Sequence, residues 1–296
     1  MSKQSDLNNV KRYEKRSQAK EVWIQFRKNK GAMLGLIILI LLILGTIAAN
    51  VLLDYNTHIA GRNIMDRLQG PSMNHLMGTD EMGRDLALRI IYGARYSLVI
   101  GFSAVLIAVV VGVPLGAYAG FYGGKMGELI MRLTDILASV PAILMAVVIV
   151  SALGHDTINI IFAIGLCTIP ELVRITRAAV LTVRDQEYVE AARAIALTDA
   201  QIIFQHVLPN CLSPILVQIA LRTASSIITA SALSYLGFGV LAPAPEWGAM
   251  LSAARNYIRD YNYMCLFPGL AIMITVLSLN LVGDGLRDAM DPKLRR

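Results

Sequence analysis

A chain of 296 residues that is 55% hydrophobic and only 16% charged, with a mean hydropathy of +0.56, is too apolar for an ordinary water-soluble globule and belongs in a bilayer. Its formal charge of +6 is explained by a basic arm: residues 1–31 hold nine Lys and Arg between Lys3 and Lys30. Such an arm suits an anionic inner leaflet and gives no argument for nucleic-acid binding, while Cys167, Cys211 and Cys265 form neither a disulfide framework nor a metal-binding spacing.

In chain order, residues 1–17 are polar and charged and read as disordered. Val22, Trp23, Ile24 and Phe26 then alternate with Lys20, Arg27, Lys28 and Lys30, which predicts an amphipathic helix lying on the inner membrane surface. Six apolar runs follow, near 32–53, 96–120, 129–153, 157–173, 211–238 and 265–285. A helix crossing about 30 Å of hydrocarbon needs about 20 residues that satisfy their own backbone hydrogen bonds. The fold class is therefore an all-α membrane protein with six transmembrane helices; sustained polar–apolar alternation, the mark of a membrane β-barrel, is absent.

About thirty largely polar residues precede the first run, so it is expected to be retained and not cleaved as a signal peptide. Lys and Arg counts place the N-terminal arm, the loops 121–128 and 174–210 and the tail from 286 in the cytoplasm, with Arg174, Arg177, Arg184, Arg193, Lys293, Arg295 and Arg296. The segment 54–95 then lies outside, its arginines (Arg62, Arg67, Arg84, Arg89, Arg95) offset by Asp54, Asp66, Asp80, Glu81 and Asp85. Four regions result: a cytoplasmic arm at 1–31, a first span with an extracytoplasmic loop at 32–95, a five-helix core at 96–285 and a cytoplasmic tail at 286–296.

Within the second span and its exit, Gly112, Gly116, Gly120 and Gly124 recur every four residues, which puts them on one helix face and predicts a close helix neighbour; Pro114 is expected to bend that helix. The third span opens with Arg132 and Asp135, three residues apart and able to pair on one face, either as a structural ion pair or as the lining of the cytoplasmic mouth of a pathway. Arg222 is a basic residue deep inside a span. It is read as pairing with a neighbouring helix, as lining a pathway near an anionic group of a solute, or as snorkelling.

The segment Asp185 to Pro209 is the least membrane-like of the interior. It reads as two short helices joined by a turn, with Thr198 and Gln201 forming a capping box and Pro209 marking a boundary before span five. No GxxxxGK[ST], HExxH or GxSxG is present, and His58, His75, His155 and His206 are scattered, so neither an enzyme nor a metal site is expected. Asp80, Glu81 and Asp85 lack the alternating ligands of a calcium loop and read as surface polarity.

Glu190-Ala191-Ala192 followed by Leu208-Pro209 resembles the EAA loop of ABC-importer permeases, at matching length. Two positions depart from the pattern: Ala196 stands where the family usually has glycine and His206 where it usually has isoleucine. Alanine makes a positive φ costly, so the turn after the first short helix is expected to differ. Across residues 18–292 the chain resembles the dipeptide, oligopeptide and nickel permeases, specifically the partner with a short extracytoplasmic loop. The motifs that carry this are His75-Leu76-Met77-Gly78-Thr79-Asp80, Gly83-Arg84-Asp85, Gly93-Ala94-Arg95-Tyr96-Ser97-Leu98, Leu233-Ser234-Tyr235-Leu236-Gly237, Pro245-Glu246-Trp247-Gly248, and Gly283-Asp284-Gly285-Leu286-Arg287-Asp288 with Asp291-Pro292.

The resemblance implies a type I ABC importer permease fold with a cytoplasmic coupling helix, in the bacterial inner membrane with both termini cytoplasmic. It implies as partners a second homologous permease, two cytoplasmic ATPases that bind ATP and Mg, an extracytoplasmic solute-binding protein and membrane lipid, with no cofactor held by this chain. Glu190, Ala191, Ala192, Arg193, Ala196, Leu208 and Pro209 would form the ATPase-coupling element, and Arg132, Asp135 and Arg222 are candidates for a pathway or gate. The solute stays open among dipeptides, oligopeptides, nickel, metal chelates and glutathione-like molecules. Thr229 and Ala230 stand where many peptide-transporting relatives carry an acid. The competing reading is an ion-coupled secondary transporter or channel subunit, which would favour several intramembrane acids and an inverted repeat; Asp135 and Asp284 lie near span ends and no repeat is evident.

Overall fold

A computed structural model describes residues 18–291; the expectation of disorder for 1–17, and the basic tail residues Lys293, Arg295 and Arg296, lie outside the described residues. The helices are α1 (Gln18–Lys28), α2 (Lys30–Leu52), α3 (Leu86–Phe121), α4 (Gly124–Ser139), α5 (Ala142–Leu153), α6 (Thr157–Val183), α7 (Glu187–Ala194), α8 (Asp199–Ile202), α9 (Leu208–Tyr235), α10 (Trp247–Ala254) and α11 (Tyr263–Met290). Among the described residues the β-structure is an isolated bridge between Thr79 and Asp85.

Five helical paths are long and apolar enough to cross a membrane: α2, α3, α6, the continuous path Asp199–Tyr235, and α11. The sixth differs from the single span expected over 129–153. It is the pair α4 and α5, bent by 85°. Val140, which precedes Pro141, is extended (φ −91°, ψ 130°) because the proline ring disfavours helical backbone at the residue before it. The second span also differs, starting at Leu86 rather than 96, because the Asp85 carboxylate accepts from Leu88 N at 3.0 Å and caps the helix ten residues early. Pro209 is less of a boundary than expected, since a π-helical turn at 203–207 carries the helix from α8 into α9.

The glycine stripe does what its spacing predicts at three of four positions. A Cβ on Gly112 would lie 2.9 Å from the Leu172 Cβ, one on Gly116 would lie 2.6 Å from the Val173 carbonyl, and one on Gly120 would lie 2.8 Å from the Val180 Cβ. These positions let α3 and α6 approach backbone to backbone, and the two helices form the most extensive pair in the bundle. Gly124 has open space around it and serves a turn instead, at φ +60°. Pro114 sits inside an uninterrupted α3.

At the end of the bundle where α3 begins, the resemblance motifs meet, except for the 283–288 motif near the C-terminal end of α11. The fully buried Trp247 donates from its indole to the Ile90 carbonyl at 3.0 Å, and the Tyr263 hydroxyl donates to the Thr79 carbonyl at 3.2 Å. Glu246 is buried, caps α10 through Ala249 N and accepts from the Ser97 hydroxyl. Asp80 corrects the surface-polarity reading. It is buried, its carboxylate receiving Arg84 Nε at 2.6 Å with Arg89 Nε at 3.5 Å, and its second oxygen accepts from the Met82 and Arg84 backbone. Arg89 in turn donates to the Ile59 and Pro243 carbonyls, so two arginines that charge counting treated as loop charge are internal cross-links.

At the opposite end, α1 is more than a surface helix. Phe26 is buried and packs with Ala32 and Ala289, while Trp23 stacks on Phe26 and remains half exposed. A Cβ on Gly285 would strike Ala32 and Phe26, so α11 closes onto α1 and α2 there.

Candidate functional site

The segment 185–209 folds as two short helices and a turn. Val189 and Ala192 of α7, Ile202 of α8 and the following Val207 are buried in one cluster with Phe121, Val180 and Cys211. Apolar residues at these spacings pin the hairpin against the ends of α3, α6 and α9. The predicted capping box is present: Thr198 N donates to Gln201 Oε1 at 2.9 Å and Gln201 N to the Thr198 hydroxyl at 3.4 Å.

The turn itself does not differ from a glycine turn. Ala196 takes φ +60°, its N–H donates to the Arg193 carbonyl at 2.9 Å, and Leu197 N donates to the Ala192 carbonyl at 3.3 Å. This pair of bonds is the Schellman closure of a helix with the left-handed residue just past its end, and Leu197 packs back into the same cluster as Ala192. The cost of alanine in that conformation is outweighed by the carbonyls it satisfies and the apolar contact it permits.

Of the hairpin residues named from sequence, Glu190, Ala191 and Ala196 are exposed, as is Pro209. Arg193 is exposed as well, and its guanidinium lies over the Phe121 ring at 5.3 Å, which ties α7 to the last residue of α3. Arg184 donates to the Gly120 carbonyl at 3.0 Å, adding a second tie. Partial desolvation and then the Asp199 carboxylate hold the Tyr122 phenol above its ordinary pKa. The outward face carries Tyr188, Ile195 and Phe204, the last two 73% and 70% exposed.

A second set of residues lies on α4, α6 and α9. Arg222 Nη2 donates to Glu171 Oε1 of α6 at 2.9 Å, and the Gln218 amide, oxygen inward, accepts from Arg222 Nη2 at 3.0 Å. The reading of Arg222 as paired with a neighbouring helix is the one the geometry favours. Gln218, Arg222, Ser225 and Thr229 stand at i, i+4, i+7 and i+11, a polar stripe down one face of α9. Arg132 does not pair with Asp135. Asp135 Oδ1 instead accepts from Arg174 Nη2 of α6 at 2.8 Å, and Arg132 is exposed without an ion pair among the described residues. The reason is packing: α4 lies along α6, so a partner across the helix gap is nearer than one on the same helix.

Glu171 and Arg174 were missed from sequence. Glu171 is an acid inside the fourth apolar run, and the cost argument applied to Arg222 applies to it equally; Arg174 was assigned to a loop because the run was ended ten residues before α6 ends.

Residues 112–296 match the family described as binding-protein-dependent transport system inner membrane component, and residues 17–71 match the N-terminal transmembrane domain of oligopeptide transport permease C. This chain belongs to that family of inner membrane transport components. Among its relatives, the permease is 44% identical over 283 residues to the di/tripeptide transport system permease protein DppC of Pseudomonas aeruginosa, covering 94% of this chain and 93% of that protein. It is also 44% identical to the dipeptide permease of Escherichia coli K12, with 93% of each chain covered, and to the glutathione transport system permease GsiD of Shigella flexneri, over 93% of this chain and 90% of that protein. Its fold matches a chain of the inward-facing methionine ABC transporter MetNI with a TM-score of 0.58 at 19% identity, covering 69% of this permease and 97% of that chain. An amino acid ABC transporter matches with a TM-score of 0.54 at 15% identity, covering 68% and 94%. The permease is thus a multi-pass subunit of an inner membrane ABC transport complex that works with other subunits, and the ion-coupled reading is set aside.

Proposed function

We propose that this permease imports short peptides, with a second homologous permease completing the pathway, two cytoplasmic ATPases binding ATP and Mg, and an extracytoplasmic binding protein delivering solute. In this reading both termini and the 185–209 hairpin are cytoplasmic. The peptide assignment is supported by the names of the relatives at 44% identity, and the absence of an acid at Thr229 and Ala230 does not remove the polar stripe on which Thr229 lies.

The observation that carries the coupling role is the two-sided hairpin. One side is buried against the ends of α3, α6 and α9, and the other presents Ile195 and Phe204 to a partner. Closure of the ATPases would push on this outward side, and the buried side would pass the displacement to three spans as a rigid body. Solute must bind the two resulting states with different affinity for transport to have a direction. Arg222 on the polar face of α9 and Asp135 of α4 are assigned to the pathway. Arg132, exposed on α4, is assigned to its mouth.

In proteoliposomes holding the full complex, Glu190→Lys is expected to abolish ATP-driven uptake while the variant still inserts and assembles; uptake at the wild-type rate would remove the coupling role. In a cysteine-free background, Ala191→Cys should resist a membrane-impermeant maleimide added to intact cells, and labelling from outside would place the hairpin on the wrong side.

A further inference from the structure

Four charges form one chain across three helices: Arg222 of α9 bonds Glu171 of α6 at 2.9 Å, and Arg174 of α6 bonds Asp135 of α4 at 2.8 Å. Glu171 and Arg174 are three residues apart and share a helix face, which joins the two pairs into an alternating series, plus, minus, plus, minus, with no net charge. Each carboxylate is bonded through one oxygen, leaving the other free, and with Gln218 taking Arg222 Nη2 and Nε the remaining donors are Nη1 of Arg222 and the unbonded nitrogens of Arg174. The side chains are 32% and 44% exposed in the Arg222–Glu171 pair and 44% and 61% in the Arg174–Asp135 pair. Charges within spans cannot be left facing lipid, so this surface faces water or a partner chain.

We infer that this ribbon selects solutes carrying both an ammonium and a carboxylate, in the manner of a peptide with free termini, and discriminates against solutes with only one of the two. The inference rests on the peptide-import reading above. A solute ammonium can take the free oxygen of Glu171 or Asp135 while its carboxylate takes Nη1 of Arg222 or the free nitrogens of Arg174. The ribbon stays neutral throughout, and no charge within the spans is left uncompensated. A solute with a single charge leaves this surface with an uncompensated ion, which is the costly state. The alternating order also lets a dipolar solute step from one pair to the next without changing orientation.

The test is ATP-driven uptake by the full reconstituted complex with one unchanged binding protein, so that differences between permease variants report on the permease. Three solutes are compared: dialanine with free termini, N-acetyl-dialanine and dialanine amide. Glu171→Gln leaves the ribbon with a net positive charge and should raise the ratio of acetylated to amidated uptake by about tenfold, the value of one charge-assisted hydrogen bond. Arg174→Gln should move the same ratio the other way. Assembly is measured first. If Glu171→Gln does not assemble, Asp135→Asn removes the same sign of charge at the more exposed end and is expected to shift the ratio in the same direction. A wild type that hydrolyses ATP but imports none of the three overturns the peptide reading itself. Uptake that is ATP-driven yet keeps the same ratios when either sign of charge is removed overturns the ribbon alone and makes the pairs a structural brace.

Discussion

Ala196 shows a residue tolerated against its own preference. At φ +60° a Cβ costs about 1–2 kcal/mol relative to right-handed backbone, and glycine would avoid that cost at a smaller loss in unfolded-chain entropy. Ala196→Gly should therefore raise the midpoint of thermal unfolding of the purified complex, whereas Ala196→Val, branched at Cβ, should lower it. Asp80 is the opposite case, a residue its surroundings demand. Asp80→Asn leaves Arg84 and Arg89 buried with only the partly buried Glu81 nearby, and should cost about 3–5 kcal/mol, read as a collapse of the membrane-inserted amount of protein. The burial of Asp80 was not legible in the sequence. Asp80, Glu81, Arg84 and Asp85 have the composition of a solvated loop, and only the fold of residues 59–85 over the start of α3 removes them from water.

At the scale of elements, the periodic signals were the dependable ones. Three glycines at a four-residue interval predicted a neighbouring backbone, and α6 is that neighbour; Thr198 and Gln201 predicted a cap, and the cap is formed. Gly116→Ala is expected to lose about 1–3 kcal/mol, since its Cβ would meet the Val173 carbonyl and Thr176, while Gly269→Ala, with open space inside α11, should be neutral or stabilising. Thermal unfolding of the two variants side by side distinguishes packing from helix propensity. The break between α4 and α5 was invisible because Pro141 lies in an unbroken apolar stretch, where hydropathy records length but not direction. The start of α3 was hidden for the converse reason: its first turns carry Arg89 and Arg95, whose charges are spent on internal partners.

For the whole molecule, the proposed coupling role makes motion depend on how firmly the hairpin grips the bundle. The stacking of Arg193 on Phe121 is worth about 0.5–2 kcal/mol, modest for folding but placed at the joint between α7 and α3. Arg193→Ala should leave assembly and basal ATP hydrolysis intact and lower the solute moved per ATP hydrolysed, measured in the same proteoliposomes. The candidate coupling residues were legible because their spacing is local. The ribbon of four charges was half legible, since Asp135 and Arg222 were found as costly charges, but their partners are chosen by helix packing that spacing along the chain does not encode.

The bend at Val140 also bears on how the chain enters the bilayer during synthesis. α4 with 16 residues and α5 with 12 rise only about 24 and 18 Å, so neither alone reaches across a hydrocarbon slab of about 30 Å. α5 buries Ala146 and Val150 against residues of α3, α6 and α9 that emerge from the ribosome both before and after it. This third crossing is therefore a late guest, admitted when α6 and α9 arrive, and in a chain truncated after Leu153 it should stay on the cytoplasmic face, open to protease added outside microsomes.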